Sequence, residues 1–307
     1  MTRYASELDD FSELLRSAAK WKGVPAAIFE KDYFLTRALC ALASAHSGQF
    51  ILKGGTSLSK GWQLLQRFSE DLDILVRSEP GWGKGLRDNC LKGLAETIRK
   101  TNGFAAQPVR EAEAGVHRTV VFTYPSVEND LQGLSRTIKL EMGYRGNAAA
   151  ATKLPIRSML EEFAAANGYA GLAEDLNLFE IELQDLCRTF VEKLFAAFDA
   201  YESNHARGKA RHYYDLYELC RRSEVQNFAG TDEYRRVFVE VKGFVRETFD
   251  ARVPEGDSFS ACPAFQPVGK DRDLLEENYK RESDLFFGRQ PPLAEVLYAI
   301  GAVLPKL

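Results

Sequence analysis

Apolar positions recur at helical spacing through residues 4–20, where Leu8, Phe11, Leu14, Leu15 and Ala18 fall on one side of a helix. Gly23-Val24-Pro25 breaks the pattern, and a second, more apolar helix over 26–46 runs through Phe34, Leu35, Leu39 and Leu42. Gln49-Phe50-Ile51-Leu52 then reads as a short buried strand. It leads into Gly54-Gly55, where the backbone can turn in ways a Cβ forbids. Thr56 and Ser57 stand where the next helix begins, with hydroxyls suited to capping, and Leu58, Trp62 and Leu65 give that helix a buried face. From Ser69 to Val76 polar and apolar residues alternate as in a strand. Ser69, Asp71 and Asp73 share one face of it; Leu72 and Ile74 take the other.

The alternation returns after a helix over 86–102 that ends at Asn102-Gly103. Residues 104–111, 117–124 and 134–142 predict three strands, and in the last of them Thr137, Lys139 and Glu141 share the polar side. Residues 143–175 read as a connector with a weak helix ending at Asn167-Gly168. Beyond it the period is helical. Residues 184–201, 210–222 and 231–249 carry apolar stripes, 250–268 is irregular, and further helices lie near 274–279 and over 292–304. The expected fold class is α+β: a mixed sheet flanked by helices over residues 1–150, then a largely helical lobe over 151–307.

Composition changes this picture little. The 307 residues are 45% hydrophobic and 27% charged, ordinary for a soluble globular chain. No apolar run reaches the roughly eighteen residues of a membrane span. The first residues are acidic and amphipathic, unlike a secretory signal, and the five cysteines form no Cys-x-x-Cys pair, so a reducing, cytoplasmic setting is expected. The four histidines offer no zinc-site spacing. A formal net charge of −4 removes the argument from a globally basic chain to nucleic-acid binding and leaves only a local basic groove.

Chemistry enters at Asp71-Leu72-Asp73. Two carboxylates on one face of a rigid strand repel each other unless a cation lies between them. A hard divalent ion, Mg²⁺ or Mn²⁺, takes oxygen ligands and keeps positions open for phosphates. The plain alternative is the solvated face of an edge strand. Gly54 to Lys60 is not a P-loop, which needs Gly before Lys and Ser or Thr after it, whereas this chain has Ser59-Lys60-Gly61. An EF-hand fails as well, since no glycine and no distant glutamate follow Asp71 at the required offsets.

The Gly-Gly turn, followed after fifteen residues by Asp71-x-Asp73 in a strand, resembles the signature of the DNA polymerase β-type nucleotidyltransferase superfamily. More narrowly, KGGTSLSKG (53–61) followed by RFSEDLDILV (67–76) resembles the AbiEii family of toxins, the MenT toxins among them. The likeness extends to Glu30-Lys31-Asp32-Tyr33, to Lys139-Leu140-Glu141, to Glu192-Lys193-Leu194, and to Arg211 ahead of Asp215-Leu216. It implies a polymerase β-like core and metal-dependent transfer of a nucleoside monophosphate from an NTP to an acceptor hydroxyl. Asp71 and Asp73 would hold the metal with Glu141 as third carboxylate. Gly54, Gly55, Thr56 and Ser57 would meet the phosphates, Lys193 would grip the triphosphate, and Asp215 would complete the site. Ser69 would point into the site, and the resemblance implies an inhibitory phosphorylation there in some members. The implied acceptor is the 3′ end of tRNA, which would block translation, and the implied partner is a cognate antitoxin, either a protein repressor or a kinase.

Read from the residues alone, several of these positions have plainer roles. Glu30 to Tyr33 fits a helix-surface ion pair beside a core aromatic, Lys139 fits a cross-strand salt bridge, and Ser69 fits a hydrogen bond to a carboxylate. Arg207, Lys209 and Arg211 with Tyr213, Tyr214 and Tyr217 have the composition of an RNA contact surface, or of a solvated helix with packed aromatics. Other function classes remain open at this point. They are a nucleotidyltransferase acting on a protein or small molecule, a glycosyltransferase using Asp-x-Asp to hold Mn²⁺ and a nucleotide sugar, and a non-catalytic binding module.

Overall fold

A mixed sheet of eight strands carries the first half of the chain. In the computed structural model, which describes residues 4–128, 135–144, 151–169, 171–203, 209–248 and 251–307, the strands are β1 (Phe50–Lys53), β2 (Asp71–Val76), β3 (Ala105–Ala106), β4 (Glu111–Glu113), β5 (His117–Thr123), β6 (Thr137–Gly143), β7 (Ala151–Ile156) and β8 (Phe179–Gln184). Their order is β3-β5-β6-β2-β1-β8-β7, with β4 also on β5. β2 is central, antiparallel to β1 and parallel to β6. Its Leu72 and Ile74 are buried while Asp71 and Asp73 keep some exposure, the alternation expected of it.

Four helices or helical turns flank this sheet on the way to β7: α1 (Phe11–Lys22), α2 (Ala26–Ala45), α3 (Gly54–Thr56) and α4 (Lys84–Lys100). α5 (Met159–Ala166) lies between β7 and β8. α2 is buried nearly all round, which marks a core helix. Its charged residues are buried too, contrary to the surface ion pair expected of Glu30 to Tyr33. Each has its own partner. Glu30 accepts from Ser126 Oγ and Val127 N, both at 2.6 Å. Lys31 donates to Glu70 Oε1 at 3.0 Å and Ser135 Oγ at 3.1 Å. Asp32 accepts from Met159 N at 2.7 Å and pairs with Lys60 Nζ at 2.5 Å.

The structure departs from expectation in three further places. The helix after the glycine turn passes from α3 into one π-helical turn, Ser57–Gly61, and stops before Leu65. Gly61 packs so closely that a Cβ would come within 2.0 Å of Leu183 Cδ1, and Gln63 then takes a left-handed φ of 52°. The strand expected over 104–111 is split into β3 and β4. The connector over 143–175 contains β7 and α5, so two compact units divide at Leu183 rather than at residue 150. The first unit is Met1–Gln63 with Phe68–Leu183; the second is Leu64–Arg67 with Gln184–Leu307.

The second unit is helical as expected: α6 (Leu186–Glu202), α7 (Arg211–Cys220), α8 (Ser223–Phe228), α9 (Asp232–Thr248), α10 (Gly269–Arg281) and α11 (Leu293–Val303). Asp185 caps α6 by accepting from the amides of Cys187 and Arg188. The irregular stretch after α9 supplies Phe259, which is fully buried and meets the rings of Phe195 and Phe238 at 5.1 and 5.4 Å. No helix among the described residues is long and apolar enough to cross a membrane.

Removing one member of a buried ion pair strands the other, at a cost of about 3–5 kcal/mol. Asp32→Ala, which strands Lys60 and the Met159 amide, should lower unfolding stability by about that much in urea titrations. A loss under about 1 kcal/mol, the range of solvated pairs, would show that Asp32 is not a core charge.

Candidate active site

β2 and β6 run parallel in a register that sets Asp71 beside Lys139 and Asp73 beside Glu141. Paired residues on neighbouring strands point to the same face, so two short alternating segments gather four charged groups in one place. Lys139 Nζ lies 3.1 Å from Asp71 Oδ2 and 2.6 Å from Glu141 Oε1. Asp73 and Glu141 share a hydrogen bond, and Lys53 stands opposite Asp73 on β1. Three carboxylates thus face two ammonium groups.

The imbalance is visible in the proton affinities. Burial, then the charge of Glu141, pushes the Asp73 carboxyl up to about 7 despite the pull of Lys53. Burial also opposes the Glu141 charge, but Lys139 outweighs it and holds that carboxyl below its ordinary value. For Lys139, burial is again outweighed, here by Glu141 and Asp71, and its affinity for a proton rises.

The glycine turn fits against this cluster from the β1 side. Gly54 has a φ of 71°, and a Cβ there would come within 2.3 Å of Asp73 Oδ2. Both the backbone angle and the close approach therefore require glycine. Thr56 Oγ1 donates to the Asp71 carbonyl at 2.5 Å, and Ser57 Oγ donates to the Gly54 carbonyl at 2.8 Å. Both residues are buried. Their hydroxyls, expected to face phosphates, donate instead to backbone carbonyls: Thr56 fastens the turn to β2 and Ser57 braces the turn itself.

The donor set suits a divalent cation. All its donors are carboxylate oxygens, and the ammonium of Lys139 stands as a cationic substitute between Asp71 and Glu141. Among the described residues, no group of three or more His, Cys, Asp or Glu forms a ready metal cage. Mg²⁺ at phosphate sites does not need one. It is bound through one or two carboxylates, with water and substrate phosphates completing the shell.

A second charged cluster lies within the second unit. Arg67 is buried, and its Nε and Nη2 donate to Asp215 Oδ1 and Oδ2, both at 2.7 Å. This is the two-pronged pairing that favours arginine over lysine. Lys193 Nζ from α6 lies 2.8 Å from Asp215 Oδ2 and 3.3 Å from His212 Nδ1 on α7. Burial opposes the Asp215 charge, but Arg67 and Lys193 outweigh it and hold the carboxyl well below the usual range. Burial, then Lys193, keeps His212 neutral, so its Nδ1 can accept from the ammonium. A lysine ammonium has three donors. Asp215 and His212 use two, and the third has no partner among the described residues.

Asp215 has no exposed surface. Expected as a catalytic residue, it is buried behind Arg67 and Lys193, which pair with it. Ser69 lies two residues before the first residue of β2, outside the strand on which it was expected. The basic cluster also differs from expectation. Arg207 lies outside the described residues. Lys209 is 3.8 Å from Asp199, and Arg211 faces the Glu282 carboxylate. Tyr213, Tyr214 and Tyr217 are buried core residues, not stacking platforms. Sequence reasoning missed Arg67, taken as a helix end, and His212. The available signal for Arg67 was a lone basic residue closely flanked by Leu65 and Phe68.

The family model described as Nucleotidyl transferase AbiEii toxin, Type IV TA system, matches residues 37–299 of the chain. Among solved structures, MenT4, a nucleotidyltransferase toxin from Mycobacterium tuberculosis H37Rv, is similar with a TM-score of 0.62 at 17% identity, over 95% of this chain and 88% of that one. At that identity the likeness concerns the fold. No curated protein sequence matches the chain.

The two clusters predict opposite responses to loss of charge. The depressed Asp215 carboxyl lends stability at pH values above its unfolded value, about 4, and that stability is lost as the pH falls toward the folded value. The gap in urea midpoint between wild type and Asp215→Asn should be wide at about pH 7 and shrink below about pH 4. A gap independent of pH would remove the Asp215 charge from the account. Asp73→Asn relieves repulsion instead. In EDTA it should raise the melting temperature by about 2–4 °C, the shift that roughly 1 kcal/mol produces. A variant melting below wild type would mean that the carboxylates are already balanced.

Proposed function

The chain belongs to the AbiEii family of nucleotidyltransferase toxins from type IV toxin–antitoxin systems, and from that membership we propose its reaction. A nucleoside monophosphate passes from an NTP to a hydroxyl at the 3′ end of tRNA, in the cytoplasm, and the blocked tRNA halts translation. Membership in the family also implies a cognate antitoxin. The observation that carries the reading is the register of β2 with β6, which gathers Asp71, Asp73 and Glu141 beside the Gly54-Gly55 turn.

Asp71 and Asp73 would hold Mg²⁺ or Mn²⁺, with Glu141 as the third carboxylate. When bound, the metal supplies Lewis-acid stabilisation of charge on the phosphate oxygens. The remaining roles belong to the chain. The Gly54-Gly55 backbone lets the phosphates approach the carboxylates with no side chain between them. By the family likeness Lys193, held by Asp215 and His212, would grip the triphosphate as a point charge. Arg67 keeps Asp215 ionised and so keeps Lys193 in place. The acceptor oxygen bonds to the α-phosphorus as the bond from that phosphorus to the β-phosphate oxygen breaks. Pyrophosphate leaves with the electron pair, and the hydroxyl proton passes to water.

Incubation with each labelled NTP, Mg²⁺ and total RNA tests this. Label should enter RNA of tRNA size, and Asp71→Asn should lower incorporation by about a hundredfold or more, the scale of losing a charge-stabilising group. Lys193→Ala should weaken NTP use with any acceptor. Label in polypeptide or in a small molecule would replace the acceptor named here. Near-normal incorporation by Asp71→Asn would show the carboxylate assignment to be wrong.

A further inference from the structure

Within the first unit a groove of about 690 Å³ opens on the carboxylate face of the sheet. Asp71 and Lys139 form one end of it. Its floor includes Val121, which pairs with Lys139 across β5 and β6. Gln107 and Arg110, in the segment between β3 and β4, form the far wall. Ser135 and Thr137 add hydroxyls along its length.

The groove and the glycine turn lie on opposite sides of the carboxylates. In the sheet the order runs β1, β2, β6, β5: the turn follows β1, and the groove extends over β6 and β5. Phosphoryl transfer places the attacking and leaving oxygens roughly in line, on opposite sides of the phosphorus. With the triphosphate on the turn side, the attacking hydroxyl must come from the groove side.

The charges along the groove differ in how far they are already used. Lys31 is bound to Glu70 and Ser135, and Lys139 to Asp71 and Glu141. Arg110 is exposed and, among the described residues, has no ion-pair partner. It sits at the end remote from the carboxylates, as a cation would to meet a backbone phosphate behind the reacting end. The cavity is of the size that holds one small ligand, about 300–1,000 Å³, so it admits an unpaired chain end and not a duplex.

We infer that this groove is the acceptor's path: an unpaired polynucleotide end lies along it, with the Arg110 guanidinium on a backbone phosphate and the terminal hydroxyl at the carboxylates. The inference rests on the reading of Asp71 and Asp73 as the reaction centre.

Arg110→Ala, Arg110→Lys and a control, Arg235→Ala, test it. Arg235 is exposed on α9 in the second unit and paired with Asp232 at 2.5 Å. Binding of the RNA that wild type labels is titrated over a range of salt, and NTP binding is read separately by thermal shift without RNA. Arg110→Ala should weaken RNA binding about tenfold, the effect of one charge-assisted contact. It should also flatten the logarithmic salt dependence by about 0.7, one released counterion on a single strand. Arg110→Lys should restore most of the slope, and the NTP shift should not change. Wild-type affinity and slope in Arg110→Ala, or an equal loss in Arg235→Ala, would overturn the groove while leaving the reaction centre intact. Activity retained by Asp71→Asn would overturn the centre and the groove together. Label entering polypeptide in place of RNA would overturn the polynucleotide occupant.

Discussion

Three carboxylates held on one sheet face by backbone pairing are the constraint from which the rest of the first unit follows. The β2–β6 register is fixed by ladder hydrogen bonds and by the burial of Leu72, Ile74, Leu140 and Met142 beneath. A slip of one residue would turn those apolar side chains outward, so the acids cannot separate by changing partners. Their repulsion has to be met where they stand. Lys139 and Lys53 meet part of it, and the Asp73 carboxyl is still pushed up, by burial first and then by the charge of Glu141. Gly54 is the complementary feature, since any side chain there would fill the approach to Asp73.

The buried charges of α2 serve that arrangement. Lys31 reaches Glu70, the residue just before β2, and Asp32 reaches Lys60, in the helical turn that follows the glycine turn. One helix thereby ties down both chain segments that bring the turn and the carboxylate strand together. Buried ion pairs are poor sources of net stability, because desolvation offsets most of their attraction. Their consequence here is geometric. Each pair admits one partner at one distance, whereas an apolar contact in the same place would tolerate sliding.

Much of this was legible in the sequence, and the reasons differ by residue. Asp71 and Asp73 could be placed on one face because alternation is local and strict. Gly54-Gly55 could be read as a turn because glycine there is hard to explain otherwise. Pairing between Lys139 and Asp71 joins residues far apart in the chain, and periodicity carries no information about which strands become neighbours. The same limit hid β7, whose partner is β8, so its segment read as a connector, and it left β8, which pairs with β1, unassigned. Thr56 and Ser57 were expected at phosphates, and their hydroxyls are seen on the backbone. A hydroxyl at a turn can serve a ligand or the backbone, and only the fold shows that both are spent on carbonyls. Tyr213, Tyr214 and Tyr217 mislead for a related reason, since aromatic residues among cations look alike whether they face RNA or the core.

The two charged clusters differ in whether their charges are balanced, and this separates their roles. Asp215 meets Arg67 on two oxygens and Lys193 on one, has no exposed surface, and holds its proton less tightly than a free aspartate. Nothing further is needed to stabilise it, so a ligand gains little by approaching it. Lys193 has two donors satisfied and no partner for the third among the described residues. Asp73 holds its proton more tightly than a free aspartate, first because it is buried and then because the Glu141 carboxylate lies beside it. The same residue type is thus fully paired in one unit and set beside a second carboxylate in the other, and the difference comes from which neighbours the fold delivers to each.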